Sequence, residues 1–131
     1  GMAMAFEVAH RNMENDLIYI RGLKELMIKQ LKEEISDVAF NGECENGGLH
    51  TILNVSFPKT DKSEMLIYHL DIADIAVSSG SACTSGSIGE SHVLKAINAD
   101  LSGVSVRFSF CKMNTEDEIE KVVQVIKSII Q

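Results

Sequence analysis

Two stretches of the chain carry apolar residues at the spacing of an amphipathic helix. Near the N-terminus this spacing predicts one long helix, or two abutting helices, over residues 3–35, in which Gly22 is expected to mark a kink or a close contact. Near the C-terminus, residues 115–118 have the sequence of a capping box, and the apolar stripe behind them predicts a second amphipathic helix. The two stripes consist of Leu17, Ile20, Leu23, Met27, Leu31 and Ile35, and of Ile119, Val122, Val123, Ile126, Ile129 and Ile130.

Two other segments alternate between apolar and polar residues, as strands with one buried face do. Residues 51–57 place a leucine, a valine and a phenylalanine on one face, and the only proline of the chain, Pro58, ends the segment. In residues 104–110 the valines and phenylalanines share one face, while two serines share the other face with Arg107. Both segments are therefore predicted strands, and Arg107 is expected to point away from the core.

Shorter signals lie between these segments. Residues 38–40 and residues 75–77 are short strand candidates, and the capping sequence at residues 61–64 predicts a helix that runs to about His69. Residues 91–97 are expected to form a short helix. Helices and short strands in this order predict an α+β domain, in which helices cover a small β-sheet.

Length and composition are those of one globular domain. The chain has 131 residues, of which 45% are hydrophobic and 24% are charged. Its formal net charge is −7 and it has no basic stripe, which argues against a surface that binds nucleic acid. The charge therefore predicts no nucleic-acid partner. No apolar run approaches the roughly 18 residues of a membrane span, so we expect no membrane partner either. Gly1 before Met2 is typical of a scar left by a cleaved tag, and the predicted domain therefore covers residues 2–131.

The three cysteines, Cys44, Cys83 and Cys111, include no C-x-x-C pair and have no histidines at a metal-ligand spacing. We therefore expect no metal site. Free thiols in a chain without a recognisable signal peptide indicate a reducing compartment, so the expected location is the cytoplasm. Cys44 and Cys111 are expected to be structural bystanders. Continued strand alternation would place Cys111 on the same face as Arg107, as a secondary thiol, but the preferred interpretation is that Cys111 fills space in the packing.

Cys83 lies in the sequence Ser-Ser-Gly-Ser-Ala-Cys-Thr-Ser of residues 78–85. Small residues and glycines lose much entropy when they are ordered and offer little side chain to pack. The thiol is therefore expected on an accessible loop, where a nucleophilic or sulfur-carrying cysteine has to be. The residues alone leave open whether Cys83 is such a group or an inert loop cysteine. His92, nearby in sequence, is expected to be a surface residue and not a partner of this thiol.

Arg107 is the second candidate for chemistry. On the polar face of a strand, its planar guanidinium is suited to binding a carboxylate and is held by a stiff element. The alternative is an ordinary ion pair between Arg107 and a surface acid. The glycines around Cys83 match no nucleotide-binding motif, so a phosphate-binding loop is not expected.

These segments together resemble the C-terminal small domain of group I cysteine desulfurases, pyridoxal-phosphate enzymes of the class V aminotransferase type that supply sulfur for iron–sulfur clusters. The resemblance covers nearly the whole chain, and its most specific part is the Ser-Gly-Ser-Ala-Cys-Thr-Ser sequence around Cys83. The other matching sequences are Leu53-Asn-Val-Ser-Phe57, Ile75-Ala-Val77, Ser91-His-Val-Leu-Lys-Ala96, Val106-Arg-Phe-Ser109 and Asn114-Thr-Glu-Asp-Glu-Ile119.

The resemblance implies a role for each candidate. Cys83 is implied to be the thiolate that attacks the sulfur of L-cysteine bound to pyridoxal phosphate, which leaves a persulfide on Cys83 and finally L-alanine. Arg107 is implied to hold the carboxylate of the substrate. The persulfide then has to reach a sulfur-acceptor or iron–sulfur scaffold protein, which agrees with the accessible loop expected from composition. The resemblance also implies that the full-length enzyme is a homodimer.

The family's Schiff-base lysine lies in a Ser-x-His-Lys sequence, and no lysine of this chain has that context. The resemblance therefore implies a large cofactor-binding domain before residue 2, and the chain alone is predicted to fold but to be inactive. Phe110-Cys111-Lys112 and His50 depart from the family's usual residues, and neither departure touches Cys83 or Arg107.

Three alternatives to a cysteine desulfurase stay open. The first is another enzyme of the same fold: a selenocysteine lyase, since these residues leave the preference for selenium open, or an aminotransferase, against which the sequence around Cys83 counts because that reaction needs no loop cysteine. The second is a stand-alone domain that carries a persulfide on Cys83 without catalysis of its own. The third is a small α+β protein in which the loop cysteine is incidental.

Overall fold

The computed structural model describes residues 1–44, 47–79, 91–99 and 102–130, and Cys83 lies outside these ranges. The elements are α1 (Met2–Glu34), β1 (Ala39–Asn41), β2 (Ile52–Phe57), a single 3-10 turn (Ser63–Met65), α2 (Leu66–Ile72), α3 (His92–Ala96), β3 (Val104–Ser109) and α4 (Glu116–Ile130). The architecture is α+β, as the sequence predicted, with a long N-terminal helix, an amphipathic C-terminal helix and a small sheet.

The sheet is antiparallel with the strand order β1-β2-β3, so that β2 is the central strand. In the register between β2 and β3, Leu53 is opposite Phe108 and Val55 is opposite Val106, and all four side chains are buried. Because opposite residues of antiparallel strands place their side chains on the same face, these pairs form one apolar face of the sheet. The alternation predicted for both long strands is confirmed.

The two long helices cover the apolar face of the sheet. α1 and α4 pack against each other, and their apolar stripes join the apolar residues of the strands in one core. Lys127 of α4 also donates a hydrogen bond to Glu34 at the end of α1. Each fully buried aliphatic side chain stabilises the fold by about 1.5–3 kcal/mol. The buried helix residues include Leu23, Met27, Leu31, Leu66, Leu70, Ile119, Val123 and Ile126.

α1 is one continuous helix of 33 residues, and only its second half joins the core. Its buried residues begin at Ile20, whereas Met2, Phe6 and Met13 are exposed although helical spacing places them on the same side as Ile20. The close contact expected at Gly22 is not present, since a Cβ built there would meet no heavy atom within 4 Å. The first half of α1 therefore presents an apolar stripe to its surroundings.

The predicted strand at residues 75–77 is wrong. Residues 75–77 belong to no helix or strand, and the N–H of Ile75 donates to the carbonyl of Leu70 at the end of α2. Ser78 is the residue that reaches the sheet, where it forms an isolated antiparallel bridge with Arg107. The strand prediction failed because three apolar residues in a row look alike in a buried strand and in a segment leaving a helix.

The turn before α2 differs from the prediction by one residue. The N–H of Ser63 donates to the hydroxyl of Thr60 at 3.1 Å, and the N–H of Thr60 donates to the hydroxyl of Ser63 at 2.7 Å. These two bonds replace the capping pair predicted within residues 61–64. β1 is likewise shifted by one residue from the predicted 38–40. The short helix predicted at residues 91–97 is confirmed, and the hydroxyl of its N-cap Ser91 accepts from the N–H of Leu94 at 3.5 Å.

Within the described ranges, the structure contains no helix that is both long and apolar enough to cross a membrane.

We predict opposite effects for alanine at two glycines. A Cβ at Gly103, just before β3, would lie 2.5 Å from the carbonyl oxygen of Phe57 on β2, so Gly103→Ala should destabilise the fold by about 1–3 kcal/mol. Gly22→Ala fills open space inside a helix and should stabilise the fold by up to about 1 kcal/mol. Chemical denaturation of the three chains measures both changes, and an unchanged stability of Gly103→Ala would contradict the close approach of β2 and β3.

We also predict that acid destabilises the fold partly through Glu118. Its carboxylate accepts hydrogen bonds from the side chain of Asn114 at 3.0 Å and from the N–H of Thr115 at 3.1 Å, and these bonds lower the pKa of Glu118. Because the folded pKa lies below the unfolded value, the ionised group stabilises the fold above the unfolded pKa of about 4.3, and this stabilisation is lost as the pH falls through the folded pKa.

The measurement is the melting temperature between about pH 7 and pH 2.5, a range that begins above the unfolded pKa of a glutamate and extends well below it. The decrease toward acid pH should be smaller for Glu118→Gln than for the parent chain. Glu120→Gln is the control, because it removes an exposed carboxylate of the same helix that forms no part of the cap. Identical pH profiles for Glu118→Gln and the parent would rule out this contribution.

Candidate functional site

Arg107 lies at the centre of β3 on the polar face of the sheet, as predicted. Its side chain is exposed, whereas the neighbouring Val106 and Phe108 are buried on the opposite face. The backbone of Arg107 is held by Ser78: the N–H of Arg107 donates to the Ser78 carbonyl at 2.7 Å, and the N–H of Ser78 donates to the Arg107 carbonyl at 3.2 Å. Because β2 lies along the other edge of β3, the guanidinium projects from a backbone that lies between Ser78 and β2.

The side chain of Arg107 makes no ion pair with any residue in the part of the chain that the structure describes. The other two arginines of the chain behave differently, since Arg11 pairs with Glu7 at 2.8 Å and Arg21 pairs with Glu25 at 3.0 Å. Those pairs are the exposed helix pairs expected between oppositely charged residues four positions apart. The ordinary surface ion pair considered for Arg107 is thus not observed among the described residues.

A second pair of polar side chains lies next to Arg107 on the same face. Asn54 of β2 is directly opposite Arg107, and Asn41 of β1 is directly opposite Asn54. The Nδ2 of Asn41 donates to Oδ1 of Asn54 at 2.7 Å and also lies 3.5 Å from Oγ of Ser105. Neither asparagine was predicted from the sequence as a functional residue. The signal that could have found Asn54 is its place on the polar face of an alternating strand.

Ser78, beside Arg107, is five residues before Cys83 in the sequence. Cys83 itself lies outside the described residues, so its accessibility and its role stay predictions. His92 is an exposed residue at the start of α3, in agreement with the surface position expected for it. The structure thus places the predicted arginine next to the residue from which the chain leads to the predicted nucleophile.

The other two cysteines differ from each other. Cys44 is half-buried, and its thiol donates to the carbonyl oxygen of Asn41 at 2.8 Å. Cys111 is exposed, so the expectation that it fills space in the packing is wrong. β3 ends at Ser109, and the strand alternation therefore does not reach Cys111. No group of three His, Cys, Asp or Glu side chains is close enough to hold a metal ion within the described part of the chain.

One cavity formed by described residues lies away from Arg107. It has a volume of about 580 Å³ and lies between α1 and the connection from β1 to β2. Lys24 is 4% exposed and lines this cavity, and its Nζ donates to the carbonyl oxygen of Leu49 at 3.0 Å. Because the cavity contains neither Arg107 nor Ser78, it is not part of the candidate site.

Comparison with known proteins agrees with the resemblance found in the sequence. Residues 1–122 match the family model described as aminotransferase class-V. The cysteine desulfurase IscS of Methylobacillus flagellatus is 39% identical over 132 aligned positions, which cover 99% of this chain and 31% of that protein. The cysteine desulfurase IscS of Photorhabdus laumondii has the same identity and the same coverage.

Solved structures agree on the fold. The X-ray structure of a NifS-like protein from Rickettsia africae superposes with a TM-score of 0.73 and 26% identity, over 92% of this chain and 30% of that chain. A second NifS-like protein superposes with a TM-score of 0.78 and 25% identity, over 98% of this chain and 32% of that chain.

The matches extend along almost all of this chain but only along part of each relative. The chain spans about 31% of the length of the curated relatives that it matches. The predicted resemblance to cysteine desulfurases is confirmed, since both relatives carry that name and the family model covers most of the chain. By sequence and by fold, the chain belongs to the aminotransferase class-V family.

Proposed function

We propose that this chain is the small domain of a longer cysteine desulfurase, which converts L-cysteine to L-alanine and leaves the sulfur as a persulfide on Cys83. One observation carries the proposal: an arginine without an acidic partner among the described residues lies beside Ser78, which leads to the cysteine sequence. The similarity to proteins named cysteine desulfurase IscS supports the choice of reaction.

In this proposal Arg107 binds the carboxylate of the substrate cysteine. A guanidinium presents two parallel N–H donors that match the two oxygens of a carboxylate. The stiff strand keeps this fork in one place, because slippage of β3 would bury Arg107 and expose Val106 and Phe108. A fixed anchor for the carboxylate determines where the sulfur atom of the bound cysteine lies.

Cys83 is the proposed nucleophile. Its thiolate attacks the sulfur atom of the substrate, so that a sulfur–sulfur bond forms while the bond between that sulfur and the substrate's Cβ breaks. The electron pair of the broken bond stays with the carbon skeleton, which is released as alanine after it takes up a proton. Five residues of extended chain reach about 18 Å at most, so the bridge at Ser78 keeps the Cα atom of Cys83 within that distance of Ser78, the neighbour of Arg107.

Pyridoxal phosphate, when bound in the longer protein, supplies the electron sink that makes this bond cleavage accessible. The residues of this chain do not fit the cofactor's Schiff-base site. All nine lysines lie in the described ranges, and Lys24 is the only buried one. Its Nζ donates a hydrogen bond to the carbonyl oxygen of Leu49. We therefore assign no cofactor-binding residue to this chain.

The surface of α1 supports the proposal that residues 2–131 are one domain of a longer protein. Met2, Phe6 and Met13 continue the core stripe of α1 but are 90%, 73% and 55% exposed. A contiguous exposed apolar stripe of this kind marks a protein interface. The proposed longer protein is a cytoplasmic homodimer that passes its persulfide sulfur to an acceptor or iron–sulfur scaffold protein.

The first experiment tests Cys83 in the longer protein loaded with pyridoxal phosphate. With L-cysteine, the parent protein should release alanine and carry one additional sulfur atom on the peptide that contains Cys83. Cys83→Ser should lose the persulfide and about 99% of alanine release, because a serine hydroxyl does not take up the sulfur atom of the substrate. Mass spectrometry and alanine quantification measure both results.

Cys111→Ser is the matched control, because it removes an exposed thiol and should leave turnover within about twofold.

Release of alanine from selenocysteine but not from cysteine would identify a selenocysteine lyase and overturn the proposed substrate. Persulfide formation on the isolated 131-residue chain, supplied by a separate desulfurase, would favour the stand-alone carrier instead.

The second experiment tests Arg107. Loss of both charge-assisted hydrogen bonds should raise the KM for L-cysteine about a hundredfold in Arg107→Ala. Arg21→Ala removes an arginine that is already paired with Glu25, and its KM should stay within about twofold of the parent. Steady-state kinetics on the longer protein measure both values, and an unchanged KM in Arg107→Ala would refute the carboxylate anchor.

A further inference from the structure

Four polar residues form a row across the sheet at the level of Arg107. The register pairs Asn41 with Asn54, Asn54 with Arg107, and Arg107 with Ser78. Since partners in antiparallel strands place their side chains on the same face, the four side chains all lie on the polar face. The row therefore extends from β1 to the segment that leads to Cys83.

Within this row, Asn54 and Arg107 form the closer type of cross-strand pair. A residue in an antiparallel ladder directs its N–H and its C=O toward the same neighbour. Arg107 directs both toward Ser78, with hydrogen bonds of 2.7 and 3.2 Å. Arg107 and Asn54 are consequently a non-hydrogen-bonded pair, in which the two Cα atoms are about 4.5 Å apart and the side chains approach each other closely.

The carboxamide of Asn54 has a defined orientation. Its Oδ1 accepts from Nδ2 of Asn41 at 2.7 Å, and Asn41 is itself buried and also close to Oγ of Ser105. The oxygen and nitrogen of a carboxamide point in different directions from Cγ, so Nδ2 of Asn54 points away from Asn41. Both N–H groups of Asn54 lack an acceptor among the described residues, and they lie on the half-exposed face that Arg107 occupies.

We propose that Asn54 is a second substrate-binding residue, whose Nδ2 donates a hydrogen bond to the carboxylate held by Arg107, and that Asn41 is the positioning residue that keeps this donor turned toward the ligand. The inference rests on the proposed function. A carboxylate offers about four lone-pair positions, of which a bidentate arginine uses two, so a third donor has a place to bind. Donors from two strands fix the plane of the carboxylate and favour α-amino acids over simple amines.

The test compares two substitutions at Asn54 in the longer protein loaded with pyridoxal phosphate. Asn54→Ala removes both the donor and the acceptor for Asn41, and the KM for L-cysteine should rise about tenfold with kcat within about threefold. Asn54→Asp keeps the shape and the acceptor for Asn41 but places an anionic oxygen where the substrate carboxylate binds. Its KM should rise further, to about a hundredfold.

The alanine variant separates substrate binding from a purely structural role, because an aspartate at position 54 would also pair with Arg107 opposite it and raise the KM on that ground alone. Competition with cysteamine, which lacks a carboxylate, gives a second readout, since its inhibition constant should change less than twofold in Asn54→Ala. Ser109→Ala is the control on the same face, two residues from Arg107 and opposite Ile52, and its KM should match the parent.

Failure of this inference is distinguishable from failure of the proposed function. A raised KM in Arg107→Ala together with a parental KM in Asn54→Asp would refute Asn54 alone. An aspartate variant milder than the alanine variant would also refute it. A longer protein without cysteine turnover, or an Arg107→Ala variant with parental KM, would instead refute the function on which the inference rests.

Discussion

Two backbone hydrogen bonds join Ser78 to Arg107, and the arrangement of the candidate site depends on them. They bring a residue five positions before Cys83 to the edge of a strand whose other edge is already paired with β2. Without this bridge, the segment after α2 would have no fixed relation to the arginine. With it, the proposed carboxylate anchor and the start of the proposed sulfur-carrying segment share one sheet.

The hydrophobic core fixes the position of Arg107 as firmly as its hydrogen bonds do. Val106 and Phe108 flank it in sequence and are 0% and 5% exposed on the face that α1 and α4 cover. A shift of β3 by one residue would bring a guanidinium into that core and turn both apolar side chains to the surface. Burial of a charge without a partner is far more unfavourable than the loss of a few ladder hydrogen bonds. The register of β3 is therefore set by the residues on either side of Arg107.

Local patterns in the sequence predicted the elements that a single segment determines. The alternation in residues 104–110 predicted both the strand and the exposed face of Arg107, because the side-chain period of a strand is a local property. The capping box of Thr115 and Glu118 was likewise predictable from four residues. The bridge at Ser78 was not predictable in this way, since it joins segments that lie 29 positions apart. The apolar residues before Ser78 suggested a strand in a segment that belongs to no helix or strand. The contact between Asn41 and Asn54 depends on the pairing of β1 with β2, which periodicity does not specify.

The proposed reaction makes two opposite demands on the protein, and the chain separates them. An anchor for a carboxylate works best on a rigid element, because small displacements of the substrate reduce the rate strongly. A sulfur carrier must meet the substrate first and an acceptor protein afterwards, so its thiol has to occupy two positions. Arg107 and Asn54 lie on paired strands above a packed core. Cys83 lies in a sequence of glycine, serine, alanine and threonine, which offers little side chain to hold it in one place. Substitutions that stiffen the cysteine sequence should therefore slow sulfur transfer to the acceptor more than they weaken binding of cysteine.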